Sequence, residues 1–81
     1  MSHQARMFGP TIRSARLDRP EPLTQEALAK AVGVGQPAIS AWESGEVFPT
    51  FGNLLRLCAV LDLDVKDLVE QIAREAEGVP A

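Results

Sequence analysis

The chemistry open to this chain is that of hydrogen-bonding amides and paired charges, because the groups that do covalent work are nearly missing. It has one histidine, His3, near its start, and one cysteine, Cys58, inside an apolar run. No CxxC pair, histidine cluster, nucleophile–base pair or glycine-rich phosphate cradle occurs, so Cys58 reads as a small buried hydrophobe and no metal, cofactor or enzymatic activity is expected. What remains is a short polar face in the stretch QPAISAWES, residues 36–44. A helix there buries Ile39 and Trp42, three apart, and turns Gln36, Ala38, Ser40 and Ala41 outward. On spacing alone, such a face is as much a solvated surface as a set of contacts to a partner.

The elements around this stretch present it. Thr24 is an N-cap, Glu26 suits the positive end of a helix dipole, and Ala27, Leu28 and Ala31 are the expected inward stripe of a helix over 24–32. Gly33 stands where a left-handed cap is wanted, Val34 plugs the corner, Gly35 is the next N-cap, and Pro37 fits the first turn of a helix over 36–44 that Gly45 ends. Two helices at a steep angle around so short a turn are the helix-turn-helix plan, whose second helix enters a DNA major groove.

Three more helices are expected, at 9–18, 51–61 and 65–77. The first carries Phe8, Ile12, Ala15 and Leu17 inward, with Arg13 and Arg16 on its flanks, and the loop DRPEP follows it. Thr50 caps the fourth helix, the most apolar, with Leu54, Leu55, Leu57, Cys58 and Leu61. Asp64 caps the fifth, whose apolar face is Val65, Leu68, Val69, Ile72, Ala73 and Ala76. Ile72, Ala73 and Ala76 extend past what closing a small core needs, and are equally a dimer surface and a face folded back on the domain. A single domain over 9–77 is expected, with a frayed arm at 1–8 that includes Arg6, and a tail at 78–81.

The net charge of −3 runs against nucleic-acid binding, but it is unevenly placed. Residues 1–45 hold five basic groups against four acidic, whereas 46–81 hold three against seven. The field at one face governs docking, so an acidic end turned away from DNA is tolerable. With no run of about 18 apolar residues and no signal-peptide pattern, no membrane association and a cytoplasmic location are expected.

An arginine-bearing first helix, then LTQEALAKAVGVGQPAISAWESG, then FPT leading to LLRLCAVLDLDVKDL, resembles the phage repressor and Cro (XRE) family over residues 8–70. The resemblance implies an all-α, five-helix, lambda-repressor-like fold and a transcriptional regulator, of the repressor kind, that binds a double-stranded operator as a homodimer. It implies base contacts from Gln36, Ser40 and Ala41, and backbone contacts from Thr24, Gln25, Arg13, Lys30, Thr50 and Asn53, with Arg19 and Arg56 as further phosphate partners. It also implies an ion pair between Arg16 and Glu43 that orients the recognition helix, with Trp42 as a core anchor. The chain departs from many relatives at Gly35, Pro37 and Ala38, and in having Glu46, Val47 and Phe48 after the recognition helix. Direct readout is therefore thin, about one bidentate candidate worth ~1–3 kcal/mol. The competing expectation is an antitoxin-like or coactivator-like module with a protein partner, motivated by the acidic second half, Phe48 in its loop and the apolar excess of the last helix.

Overall fold

In a computed structural model, which describes residues 7–76, five helices follow in order: α1 (Phe8–Leu17), α2 (Gln25–Val32), α3 (Gln36–Ser44), α4 (Phe51–Leu61) and α5 (Val65–Ala76). The result is an all-α bundle containing a helix-turn-helix, consistent with the lambda-repressor-like fold. Most of the expected arm, with His3 and Arg6, and the 78–81 tail lie outside the described residues. α1 starts and stops one residue before the expected 9–18. Asp18 leaves the helical region at its end, its N–H still donating to Ser14 O.

The turn between α2 and α3 forms where a side chain would be strained. Gly33 has φ 93° and Gly45 φ 85°, the left-handed region that favours glycine, so both helices stop there. The N–H groups of Gly33 and Val34 both donate to Ala29 O, at 2.8 and 2.9 Å, folding the chain back, while Val34 packs against the core. Three caps are side-chain oxygens accepting backbone N–H: Thr24 from Ala27, Thr50 from Asn53 and Asp64 from Asp67. Gly35 caps α3 with no side chain, and Pro37 lies in its first turn.

One apolar core joins all five helices. Phe8, Ile12, Leu28, Ile39 and Leu57 are fully enclosed, with Trp42, Cys58, Leu61 and Leu68 nearly so. Several expected faces are rotated. In α2 the buried set is Leu28, Ala29 and Val32, and Ala27 and Ala31 face solvent. Leu17 and Leu55, expected inward, are exposed, and Ala38, expected outward, packs partly on the core. Ile72 also packs on the domain's own core, and α5 is fastened to α1 by Gln71 Nε2 donating to Thr11 Oγ1 at 3.2 Å and Met7 N–H donating to Glu75 at 3.1 Å. Of the three residues expected to extend past the core, Ala73 is exposed, and the side chain of Ala76 lies outside what the structure describes.

Candidate nucleic-acid interface

A buried guanidinium anchors the candidate interface. Arg16, only 7% exposed on the inner side of α1, uses its planar fork on the carboxylate of Glu43 in the last turn of α3. Its Nε donates to Oε2 at 2.6 Å and its Nη2 to Oε1 at 2.9 Å, a bidentate ion pair across 27 residues of sequence. Its Nη1 donates to Leu23 O at 2.9 Å, and its own carbonyl accepts from the Leu23 N–H at 3.0 Å. One arginine thus closes the long α1–α2 loop and grips the end of α3.

The carboxylate passes order on to the polar face. Burial pushes the Glu43 carboxyl up, but hydrogen bonds from Arg16 and Gln25 and the charges of Arg16 and Arg13 outweigh it and hold the group below the usual carboxylate range. Arg16 is raised, chiefly by its hydrogen bond to Glu43 against the cost of its own burial. The acceptor-only carboxylate takes a hydrogen from Gln25 Nε2 at 3.0 Å, which leaves Gln25 Oε1 to accept from Gln36 Nε2 at 2.7 Å. Two glutamines, one at the start of α2 and one at the start of α3, are thereby held side by side. Gln36 keeps its Oε1 and one Nε2 hydrogen without a partner among the described residues, and Gln25 keeps one Nε2 hydrogen. Each amide of the pair is tied by a hydrogen bond, which restricts the rotamers that an unbonded glutamine would sample.

The remaining expected residues are less closely tied. Ser40 and Ala41 are half-buried along the same short helix, and Arg13, Thr24, Lys30 and Thr50 are exposed. Asn53 is half-buried and accepts from Arg56 Nη1 at 3.4 Å. Arg19 is half-buried in the α1–α2 loop. Trp42 is a core residue, 4% exposed. Burial, and then the nearby Asp64 charge, pushes the Cys58 thiol up, which keeps it protonated and unreactive.

Sequence reasoning missed the Gln25–Gln36 contact and the part played by the Leu23 backbone. Eleven residues separate the glutamines, and only the crossing angle of α2 and α3 brings them together. Their repeated position, each the first residue of a helix in one helix-turn-helix, was the signal that could have paired them.

Among the described residues no helix is long and apolar enough to cross a membrane, and no group of histidine, cysteine, aspartate or glutamate could hold a metal ion. A family model described as Helix-turn-helix matches residues 12–68, well over half of the chain. No curated protein matches it.

Proposed function

The chain belongs to the helix-turn-helix family, and on that premise we propose that it is a sequence-specific regulator of the repressor and Cro type that binds a double-stranded operator as a homodimer, with α3 in the major groove. Family membership points to DNA binding in regulation, and the finer reading is carried by the Arg16–Glu43–Gln25–Gln36 chain of hydrogen bonds. In this reading the spare Nε2 hydrogen of Gln36 donates to adenine N7, and its Oε1 accepts from adenine N6. The spare Gln25 hydrogen, aided by the amide end of α2, grips a phosphate. Ser40 supplies a hydroxyl and Ala41 a methyl suited to a thymine methyl. Arg13, Thr24, Lys30, Thr50 and Asn53 hold the backbone. A cytoplasmic location belongs to the same proposal.

Dimerisation draws on the apolar surface that the core leaves over. Ile72 is half-buried against the domain's own core, and Val69 and Ala73 on α5 and Phe51 and Leu55 on α4 are among the exposed apolar groups open to a second copy. The protein-partner reading keeps one observation in its favour, since Phe51 is 64% and Val47 53% exposed. Phe48, which motivated that reading, is likewise exposed, at 39%, with its ring also touching the Phe8 ring at a centroid distance of 4.8 Å.

Selection from a randomised duplex pool, followed by fluorescence titration of the enriched and a random duplex at several salt concentrations, tests the proposal. An enriched site is expected, and Gln36→Ala should weaken its binding by about 1–3 kcal/mol per half-site with little change on random DNA. No enrichment and no salt-dependent binding would overturn the reading and favour a protein partner.

A further inference from the structure

We infer that Gly9 is a positioning residue for base recognition, a seat of zero clearance on which the last turn of the recognition helix rests; this rests on the DNA-binding reading above. Gly9 is buried in the first turn of α1. A Cβ built there would overlap the carbonyl oxygen of Glu43 and lie 2.8 Å from its carbonyl carbon and 3.0 Å from Trp42 O. These are backbone atoms of α3, which no rotamer change can move aside.

Glu43 is therefore held by α1 at two points. Its carboxylate meets Arg16 and its main chain meets Gly9, seven residues or about two helical turns earlier. Phe8, next to Gly9, packs its ring on Phe48, in the segment that follows α3. The first turn of α1 thus seats both the end of α3 and the chain leaving it. Nor is α1 free to back away, because α5 holds it through Gln71 on Thr11 and Glu75 on the Met7 N–H.

A methyl at position 9 must move one helix against the other by about 1 Å, a shift that close-packed helices relieve by tilting. α3 has nine residues, and its Gln36 tip lies at the end away from Gly9. A displacement at one end of so short a rod is carried to the other, and it pulls Gln36 out of line with Gln25, whose place is fixed on α2. Hydrogen bonds to base edges demand that alignment, whereas attraction to phosphates tolerates its loss.

The test is Gly9→Ala, read as the ratio of affinities for the duplex enriched by the wild-type protein and for a random duplex of equal length at the same salt. Loss of folded protein lowers both affinities together and leaves the ratio unchanged, so the ratio separates positioning from stability. The expected result is a folded variant, by helical circular dichroism, whose ratio falls about tenfold, the effect of losing one bidentate base contact. Where Gly9→Ala does not fold alone, it is read in a Gly52→Ala background, since Gly52 is an exposed helical glycine whose Cβ would meet nothing within 4 Å. A folded variant with an undiminished ratio, or failure to fold in both backgrounds, overturns the inference and leaves Gly9 a packing residue. A wild-type protein with no preference for any duplex overturns the DNA-binding reading itself, a different outcome from the first two.

Discussion

At the scale of single residues, the Arg16–Glu43 pair matters most because both charges are withdrawn from water and each is the other's main compensation. Side-chain exposure is 9% for Arg16 and 5% for Glu43. Arg16→Ala leaves the Glu43 carboxylate with only Gln25, and also unties the Leu23 carbonyl, so it should cost about 3 kcal/mol in urea unfolding. Arg16→Lys should recover only part of that, because an ammonium cannot reproduce the two parallel bonds. The pH dependence follows from the direction of the shift. The folded protein holds the Glu43 carboxyl below its ordinary value, so the unfolded chain takes up its proton first as pH falls. The stabilisation is complete above the ordinary glutamate range and drains away as pH falls through the lower, folded value. Arg16, raised above an already high value, stays charged throughout and adds no slope in acid. Glu43→Gln should therefore be less stable than the wild type at pH 7, and the gap should narrow as the solution is acidified below about pH 4.5. A gap constant down to pH 3 would mean that the carboxylate is not what the ion pair stabilises.

At the scale of elements, caps decide where helices stop, and one is ill matched to its backbone. Asp62 ends α4 in the left-handed region at φ 58°, the one non-glycine residue described with positive φ, and it places a carboxylate at the negative end of the helix dipole. Asp62→Gly should stabilise the domain by about 0.5–1 kcal/mol, measured as a rise in thermal midpoint, because relief of backbone strain and charge outweighs the added freedom of the unfolded chain. Glycine, proline and cap residues are also why the five helices were legible in the sequence, since Thr24, Gly33, Pro37, Gly45, Thr50 and Asp64 act locally. Facing was harder to read. Alanine is neutral enough to lie on either side, so the spacing points Ala27 and Ala31 inward where Ala29 and Val32 are buried. Leu55 belonged to an α4 with more apolar residues than one face holds, and the core took Leu54, Leu57, Cys58 and Leu61. The polar tip was legible in its residues but not in its bonds, because the spacing that turns Gln36 outward says nothing about Gln25 reaching it from another helix. Gly9 was hidden for a related reason. A glycine in a helix's first turn looks like an ordinary start, and only the main chain of α3 lying against it shows what the missing side chain is for.

At the scale of the whole molecule, an acidic protein that binds a polyanion must separate its own charges. The second part of the chain carries most of the acid, and on α5 Asp67 and Glu70 are exposed. α5 is bonded to α1, and among the described residues it makes no hydrogen bond to α2 or α3, the elements that carry the glutamine tip. If α3 is the docking helix, those acids repel DNA only at long range, and added salt removes that repulsion once the screening length falls to about 8 Å at physiological ionic strength. The variant Asp67→Asn/Glu70→Gln should then bind random duplex more tightly than the wild type at about 0.01 M salt, where screening extends to about 30 Å. The two titration curves should merge near 0.15 M, and the preference for the selected duplex should be unchanged there. Release of counterions from phosphates that Arg13 and Lys30 touch would be common to both proteins, so their slopes at high salt should coincide. A gain that persists at high salt, or a shift in sequence preference, would put α5 at the DNA surface and α3 elsewhere. The same pair of curves therefore reports which side of the bundle faces the duplex, independently of any substitution in the glutamine tip.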